Sequence, residues 1–294
     1  MLELGRLGLG TAELGGLYEA VDEETARSVV DRAWELGIRI FDTAPYYGSG
    51  LSERRLGAAL RDRPRDELVL STKVGRLLRP GESGWVGAPA LEAYFDFSYD
   101  AALRSLEGSL ERLGLDRVDL VLVHDPDDHY DAALHGALRA LARLRAEGVV
   151  RAIGIGMNQT ELLCRFAREA EPDCFMVAGR YTLIDRAAAE ELLPLCDERG
   201  IAVIAAGVFN SGVLAGGATY DYGPAPPDVL ERVERLRATC SAWGVPVAAA
   251  ALQFPLRHPA VGTVLVGCRT AEEVAEDVRL AELELPHDLW AALS

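Results

Sequence analysis

The alternation of short apolar segments with longer amphipathic segments is the feature of this chain that most restricts its fold. Eight apolar segments have the length of buried strands, and each is followed by a segment with helical periodicity. Strands joined by helices form parallel sheets covered by helices, and eight such units fit a closed barrel better than an open sheet. No linker divides the chain. The sequence therefore predicts one α/β domain, a (β/α)8 TIM barrel, over residues 1–294.

The boundaries follow from the apolar runs and from residues that cap helices. The predicted strands are Leu7–Gly10, Ile38–Asp42, Leu68–Lys73, Leu120–His124, Ala152–Gly156, Phe175–Ala178, Ala202–Ala206 and Thr263–Val266. The predicted helices are Glu23–Leu36, Ser52–Arg61, Tyr99–Leu113, Ala132–Glu147, Thr160–Arg168, Ala187–Arg199, Asp228–Trp243 and Ala271–Leu280. The predicted caps are Asp22 and Thr160 at helix N-termini, and Gly37, Gly148 and Gly200 past C-termini.

Lys73 is the only lysine in a chain that contains twenty-nine arginines. The two cations are often exchangeable on a solvated surface. They are not exchangeable where a compact ammonium must lie beside another ionisable side chain. Lys73 ends the apolar run that starts at Leu68, so it is placed at the end of a buried strand. A genomic bias towards arginine is the alternative explanation for its isolation.

Three other ionisable side chains lie at or just past the carboxyl ends of predicted strands. Asp42 ends one strand, Tyr47 follows it in a turn, and His124 ends another strand. In a (β/α)8 barrel the active site forms at this face. Taken singly, Asp42 could be a turn-forming residue and His124 the first residue of a loop. Together with Tyr47 and Lys73, however, they form a general acid/base set.

Composition excludes several classes of function. The formal net charge of −16 disfavours a nucleic-acid ligand, because binding a phosphate backbone normally requires a basic surface. No apolar stretch has the length of a membrane span, and the amino terminus lacks the pattern of a signal peptide, so we expect a cytoplasmic protein without a membrane partner. The five cysteines lack metal-ligand spacing, which favours reduced thiols and predicts no metal site.

The segment Phe41-Asp-Thr-Ala-Pro-Tyr-Tyr-Gly48 resembles the signature of the aldo-keto reductase family. The resemblance extends over essentially the whole chain and implies a catalytic tetrad of Asp42, Tyr47, Lys73 and His124. Further motifs resemble the sugar-oxidising branch, which includes L-fucose and D-threo-aldose 1-dehydrogenases and has a pyridoxal 4-dehydrogenase among its relatives. These motifs are Ile155–Gln159, Gly179–Ile184, Gly207–Gly212 and His124–Asp127.

The resemblance also implies a site for a nicotinamide cofactor. Asn158 is expected to bind the nicotinamide carboxamide, whereas Met157 and Ala178 replace the Ser and Gln that are usual beside it. The Gly-containing turn Phe209-Asn210-Ser211-Gly212 is expected to wrap the pyrophosphate with backbone N–H groups. Thr11 and Asp42, at the ends of the first two strands, are expected to complete the site.

The segment Val264–Asp277 resembles the family's adenosine-binding strand, loop and helix. Gly267 and Glu273 occupy positions where many NADP-dependent members have cations for the 2′-phosphate. Arg269 is still present as a cation, and Asp277, at the end of the segment, is a further expected cofactor-binding residue. A carboxylate repels a phosphate but accepts hydrogen bonds from a free ribose hydroxyl. The resemblance therefore implies that NAD is preferred and that NADP is possible. Alternatively, Glu273 is an ordinary surface residue on a solvated helix face and does not contact the cofactor.

Two long loops, residues 76–97 and 210–227, are expected to rise at the carboxyl end of the barrel. Long loops in compact domains are usually functional or disordered. Aromatic residues in the first loop favour a substrate wall, although such clusters are as often simple packing. The expected substrate-binding residues are Tyr46, Trp85, Asp125 and Arg180, with Asp127 and His129 as further polar candidates.

The resemblance implies oxidation of the C1 hemiacetal of an aldose, such as L-fucose or D-arabinose, to a lactone. Tyr47 would take the hydroxyl proton, Lys73 would lower the pKa of Tyr47, Asp42 would orient Lys73, and His124 would donate a hydrogen bond. The alternatives are a pyridoxal 4-dehydrogenase or general carbonyl reductase, a Schiff-base aldolase that uses Lys73, and a cofactor-sensing subunit without turnover. The expected partner is a small sugar or aldehyde, and the oligomeric state stays open.

Overall fold

A closed barrel of eight parallel strands forms the centre of the molecule, as the sequence predicts. The structure is a computed structural model, and it describes residues 5–293. Around the barrel the strands follow the order β1-β8-β7-β6-β5-β4-β3-β2, so each strand pairs with its neighbours in sequence and the ends meet. The strands are β1 Leu7–Gly10, β2 Ile40–Asp42, β3 Val69–Val74, β4 Leu120–His124, β5 Ala152–Met157, β6 Cys174–Ala178, β7 Ala202–Ala206 and β8 Val261–Gly267.

Side chains of the strands divide into two layers because successive residues of a strand point to opposite faces. Along β4, Leu120 and Leu122 belong to the small cluster inside the barrel. Val121 and Val123 point outward into the larger core between the strands and the helices. Both layers are buried, which explains why the strands read as continuous apolar runs rather than as alternating patterns.

Helices surround the barrel at nearly the predicted positions. The helices that contain more than one turn are Glu23–Glu35, Leu51–Leu60, Tyr99–Leu113, Leu138–Ala146, Thr160–Glu169, Leu192–Arg199, Pro227–Ala242, Val247–Gln253 and Ala271–Glu282, and Leu289–Ala292 forms a short turn near the end. Val247–Gln253 was not predicted, because its alanine-rich sequence is buried on most sides and lacks an amphipathic pattern.

Two predicted helices are interrupted. The predicted helix Ala132–Glu147 contains a π-helical segment, Ala133–Ala137, before Leu138–Ala146. The predicted helix Ala187–Arg199 consists of a 3-10 turn, Ala187–Ala189, and a separate helix from Leu192. Pro194 explains the second break, because proline lacks an N–H group and its ring clashes with the carbonyl of the preceding turn.

The predicted caps hold with one exception. Asp22 accepts a hydrogen bond from the Thr25 N–H at 2.7 Å, and Gly37, Gly148 and Gly200 all adopt positive φ angles past helix ends. The prediction for Thr160 was wrong by one residue. Gln159 is the N-cap, with an extended backbone and no side-chain capping bond, and Thr160 is the first helical residue.

The two long segments expected to be loops both contain antiparallel pairs of strands. In residues 76–97, Arg76–Pro80 pairs with Leu91–Phe95 to form a hairpin directly after β3. In residues 210–227, Thr219–Tyr220 pairs with Gly223–Pro224 across a two-residue turn, Asp221 and Tyr222, whose φ angles are 48° and 65°. We call these elements the hairpin (76–95) and the ribbon (219–224).

Within residues 5–293, no helix is long and apolar enough to cross a membrane. All five cysteines are buried free thiols. In the same part of the chain, no cluster of three or more His, Cys, Asp or Glu side chains is arranged to hold a metal ion.

Candidate active site

Strand alternation brings three polar side chains into the mouth of the barrel. Asp42 lies two residues after Ile40, and His124 lies two residues after Leu122, so both continue the inward-facing series of their strands. Lys73 continues the series of Val69 on β3 in the same way. All three polar side chains are buried, although they end strands that are otherwise apolar.

Tyr47 reaches the same place through the turn that follows β2. Gly48 and Ser49 adopt left-handed backbone conformations, and a Cβ atom on Gly48 would overlap the backbone of Gly15. This close approach holds the turn against the 3-10 turn Glu13–Gly15 that follows β1. The Tyr47 ring then lies with its centroid 4.6 Å from Lys73 Nζ and 5.7 Å from the His124 ring, which it meets edge-on.

Lys73 and Asp42 form a buried ion pair. Lys73 Nζ donates to Asp42 Oδ2 at 2.5 Å and to the carbonyl oxygen of Thr43 at 3.0 Å. Burial raises the pKa of the Asp42 carboxyl, and the Lys73 ammonium opposes that rise. The pair places a fixed, charge-compensated donor beneath Tyr47.

The pKa of the Tyr47 phenol is raised well above its usual value, first by burial and then by the carboxylates of Asp42, Asp125 and Glu13. Arg76 opposes the rise. The predicted lowering of this pKa by Lys73 was therefore wrong for the free protein. The physical reason is that Asp42 compensates the ammonium charge, so that burial of the phenol dominates.

His124 is neutral at physiological pH. Burial lowers the pKa of its imidazole well below the usual value, and the cations Lys73 and Arg76 lower it further. Nε2 lies 3.6 Å from Asp125 Oδ2, whereas Nδ1 has no hydrogen-bond partner in the part of the chain that the structure describes. The neighbouring carboxylate favours the tautomer with its proton on Nε2, so that the ring presents a donor.

A cavity of about 690 Å³ opens above these residues. Tyr47, Lys73 and His124 line it, and Asp42 lies behind Lys73. The predicted substrate residues Tyr46, Trp85 and Asp125 also line the cavity, and the Trp85 and Tyr46 rings meet edge-on with centroids 5.1 Å apart. Arg76 from the hairpin and Tyr222 from the ribbon line it too, although sequence reasoning missed both.

Arg180 was predicted to bind substrate, and the structure places it elsewhere. It does not line the cavity, and its guanidinium pairs with Asp185 and with Asp221, each at 3.2 Å. These pairs attach the ribbon to the loop that follows β6. Of the further candidates, Asp127 lines the cavity, whereas His129 packs against Phe95 and Phe97.

Asn158 lines the cavity just past β5, between Met157 and Gln159 and near Ala178. The binding of the nicotinamide carboxamide by Asn158 stays a prediction. Thr11 does not face the cavity. It is fully buried, and its hydroxyl donates to the Asp42 carbonyl at 2.9 Å and shares a hydrogen bond with Ser52, so it joins β1 to β2.

The turn at residues 209–212 is held in a left-handed conformation. Asn210, Ser211 and Gly212 have φ angles of 47°, 59° and 98°. Asn210 Nδ2 donates to the Gly179 carbonyl at 3.1 Å, while its buried Oδ1 has no partner among residues 5–293. Ser211 Oγ accepts a hydrogen bond from the Tyr222 N–H at 3.0 Å, which ties this turn to the ribbon. Phe209 packs against the core.

Carboxylates surround Arg269 at the far end of the site. Arg269 pairs with Glu273 at 3.0 Å and with Glu19 at 2.6 Å. The carboxylate of Glu13 lies against Gly267, where a Cβ atom would overlap it. Burial raises the pKa of Glu13 to about 7, and Glu273 adds to the rise.

Asp277 belongs to the same segment but points into the protein. It is buried and accepts a hydrogen bond from Cys268 Sγ at 3.5 Å. Burial raises the pKa of its carboxyl to about 7. Its side chain is therefore engaged with the protein rather than with the surface that Arg269 occupies.

These residues fit a nicotinamide dinucleotide. Asn158 and Tyr47 both line the cavity, the turn at residues 209–212 is of the kind whose backbone N–H groups bind anions, and the segment around Arg269 carries groups that can bind a ribose. The side chain of Asn158 offers both a donor and an acceptor, which is what a carboxamide requires.

Comparison with known proteins agrees with this geometry. Residues 6–294 match the aldo/keto reductase family. The chain is 45% identical to a D-threo-aldose 1-dehydrogenase from a Pseudomonas species, over 100% of this chain and 94% of that protein. It is 40% identical to a pyridoxal 4-dehydrogenase from Microbacterium luteolum, over 99% of this chain and 94% of that protein.

Solved structures give the same result. An aldo-keto reductase from Bacillus halodurans, in its holo form, matches with a TM-score of 0.79 at 28% identity, over 100% of this chain and 93% of that one. Aldo-keto reductases are oxidoreductases that use nicotinamide cofactors. Sequence, fold and site together show that this chain belongs to the aldo/keto reductase family.

Proposed function

We propose that the protein oxidises the C1 hemiacetal of an aldose to a lactone with NAD. The observation that carries the proposal is the convergence of Tyr47, His124 and the Lys73–Asp42 pair at the floor of one cavity, whose lining also includes the polar side chains of Arg76 and Asp125. The similarity to a D-threo-aldose 1-dehydrogenase supports the same reaction. Asp42, Tyr47, Lys73 and His124 are the proposed catalytic residues.

In the proposed mechanism the C1 hydroxyl lies between the Tyr47 hydroxyl and the His124 Nε2 proton. A nicotinamide held at Asn158 would supply the acceptor for the hydride that leaves C1. Tyr47, in its phenolate form, takes the hydroxyl proton, so that C1 and its oxygen form the carbonyl of the lactone. His124, which is neutral, donates a hydrogen bond to the same oxygen and holds it in place. Lys73 supplies a compact positive charge next to the Tyr47 phenolate that accepts the proton.

The surroundings of Lys73 disfavour a Schiff-base aldolase. An amine must be neutral to attack a carbonyl carbon. Lys73 Nζ instead donates hydrogen bonds to Asp42 Oδ2 at 2.5 Å and to the Thr43 carbonyl oxygen at 3.0 Å, so that both groups hold it in an ion pair within the protein. These contacts fit an electrostatic role in proton transfer.

The charges around Arg269 support NAD as the preferred cofactor. Arg269 is the cation left in the segment that resembles an adenosine site, and Glu273 and Glu19 already pair with it. Glu13 adds a third carboxylate nearby. A 2′-phosphate would have to compete with these groups, whereas a free ribose hydroxyl can donate to them.

Oxidation of pyridoxal is the second candidate. The edge-on pair of Tyr46 and Trp85 forms an aromatic wall beside Tyr47 that suits a flat ring. The similarity to a pyridoxal 4-dehydrogenase favours the same substrate. Pyridoxal also exists as a cyclic hemiacetal, so the same four residues can act on it.

The test is NADH formation by the purified protein with L-fucose, D-arabinose, L-galactose and pyridoxal, each with NAD and with NADP. We expect NAD reduction with at least one sugar and a lower kcat/KM with NADP. A rate with pyridoxal alone would replace the aldose proposal by the second candidate. Tight NAD binding without turnover of any substrate would contradict both and favour a sensing role.

A further inference from the structure

Arg76, the first residue of the hairpin, lines the cavity, although the sequence did not predict it as a site residue. Its guanidinium carbon lies 4.4 Å from the centroid of the Tyr46 ring and 5.0 Å from that of Phe95. Its side chain is only 16% exposed. Two aromatic rings therefore hold the guanidinium in one orientation, which reduces the entropy that a ligand must offset on binding.

Asp125 meets Arg76 from the other side of the cavity mouth. Its Oδ2 accepts a hydrogen bond from Arg76 Nη2 at 2.5 Å. Asp125 has a φ angle of 44°, an uncommon conformation for a residue with a side chain. Its backbone N–H donates to the Gly156 carbonyl at 2.9 Å, which fixes this conformation. Strained backbone that the surroundings hold in place is concentrated at functional sites.

The pair keeps unused hydrogen-bonding capacity. A guanidinium has five N–H donors, of which one on Arg76 Nη2 donates to Asp125, and the side chain lines the cavity. The Asp125 side chain is 28% exposed and faces the cavity with Arg76. The cavity wall thus carries donors and acceptors side by side.

The position of the pair relates it to the reacting atoms. Asp125 Oδ2 lies 3.6 Å from His124 Nε2, the atom proposed to hold the C1 oxygen. Oxygens on neighbouring carbons of a sugar are separated by about the length of one hydrogen bond. An oxygen on the carbon next to C1 therefore falls within reach of the pair when the C1 hydroxyl is held by His124.

The charge of the pair selects the kind of oxygen. An arginine alone would favour a carboxylate or a phosphate, but Asp125 neutralises it. A neutral hydroxyl can accept from the guanidinium and donate to the carboxylate at once. The phenolate oxygen of pyridoxal has no hydrogen to donate, so Asp125 would repel it.

We propose that Arg76 and Asp125 determine substrate specificity by binding the 2-hydroxyl of the aldose. This inference rests on the proposed function and deepens it, because it states which oxygen beyond C1 the enzyme requires. A substrate without that oxygen would leave the guanidinium and the carboxylate without their bridging partner.

The test compares D-arabinose with 2-deoxy-D-ribose, which is the same sugar without the oxygen on C2. For the wild type we expect kcat/KM to be about 100-fold higher with D-arabinose, because a site built to hydrogen-bond a hydroxyl rejects an analogue that lacks it. In Arg76→Met, the ratio of kcat/KM for D-arabinose to kcat/KM for 2-deoxy-D-ribose should fall about 100-fold, because any effect of the lost cation on the Tyr47 pKa acts on both sugars alike. Asp125→Asn should reduce the discrimination in the same direction.

Arg79→Met is the matched control. Arg79 lies in the same hairpin and stacks on Tyr94, but its side chain is 59% exposed and pairs with Glu92 away from the cavity. We expect Arg79→Met to keep the wild-type ratio of the two sugars. Thermal unfolding and NAD binding are measured for every variant, so that loss of the hairpin is separated from loss of recognition.

Equal kcat/KM of the wild type for both sugars would overturn the inference and leave the proposed function standing. The inference would also be overturned if Arg76→Met and Asp125→Asn lowered kcat/KM for D-arabinose and for 2-deoxy-D-ribose by the same factor, because that result indicates a structural role. If the wild type oxidises no aldose at all, the proposed function fails and the inference fails with it.

Discussion

The floor of the cavity and the segment around Arg269 use the same kinds of charged residue in opposite physical settings. At the floor, the side chains of Lys73 and Asp42 are 1% and 3% exposed and contact each other at 2.5 Å. Around Arg269, the exposed fractions are 46% for Arg269, 59% for Glu19 and 39% for Glu273. Solvent and salt weaken the second set, whereas the first has little water to replace a lost partner.

This difference teaches which changes the molecule tolerates. At the floor one buried ammonium compensates one buried carboxylate, so that a single substitution should abolish a function. Around Arg269 several carboxylates share one cation, so that a single substitution should shift a preference gradually.

Removal of the Tyr47 hydroxyl should have the largest effect on turnover. In Tyr47→Phe the substrate proton has no acceptor, so we expect kcat to fall about 1000-fold. NAD binding, followed by fluorescence titration, should stay within about 3-fold of the wild type, because the ring is kept. Near-normal turnover would exclude Tyr47 from its proposed role. It would also contradict the expectation that a single substitution at the cavity floor abolishes function.

Removal of Lys73 should affect both stability and activity. Lys73→Met leaves the Asp42 carboxylate buried without its partner, and we expect the free energy of unfolding in urea to fall by about 3–5 kcal/mol. Arg269→Met should lower it by less than about 1 kcal/mol, because its partners are solvated.

Lys73→Arg separates charge from shape. It should keep part of the stability but lose most turnover, because a planar guanidinium cannot occupy the position of the ammonium beneath Tyr47.

For the stability comparison, equal losses in the Lys73→Met and Arg269→Met variants would show that burial does not distinguish the two regions.

The pH dependence of aldose oxidation should reflect the raised pKa of Tyr47. Because the phenol must lose its proton before it can accept one, a raised pKa leaves a small active fraction at neutral pH. We expect kcat to rise about tenfold per pH unit from pH 6 to 9 without a plateau, and the slope should not change near pH 6.5, since His124 stays neutral. A plateau below pH 8 would show that Lys73 lowers the phenol pKa once cofactor is bound.

The smallest effect is expected at Glu13. The pKa of this carboxyl is about 7, raised by burial, so it becomes charged as the pH rises from 6 to 8. The charged form repels a 2′-phosphate, so the ratio of KM for NADP to KM for NAD should rise by a few fold over this range, about the effect of one added charge. Glu13→Gln should abolish the rise, with Glu272→Gln on the adjacent helix as the control. A ratio that varies equally in the wild type and in Glu13→Gln would exclude Glu13 as the cause.

Much of the fold and of the site's floor follows from local sequence patterns. Alternation along β2, β3 and β4 decides that Asp42, Lys73 and His124 face inward, and parallel strands bring their ends together. The family signature then implies Tyr47. The hairpin was missed because its strands are partly exposed and carry no continuous apolar run.

The residues that were predicted wrongly or missed depend on contacts between distant parts of the chain. Arg180 looked like a free cation beside the site, but Asp221, forty-one residues later, pairs with it. Arg76 looked like an ordinary loop residue until the hairpin brought it to Asp125, forty-nine residues later. Such pairings depend on the path of each loop, which short-range patterns do not specify.

By itself, the sequence determined the barrel, the family and the four residues at the floor of the cavity, because strand periodicity and local motifs act over a few residues. Only the tertiary structure decided the pKa of Tyr47, the pairing of Arg269 and Arg180, and the place of Arg76 beside Asp125. These properties depend on burial and on charges brought together across the chain, and both exist only once the loops have folded over the barrel.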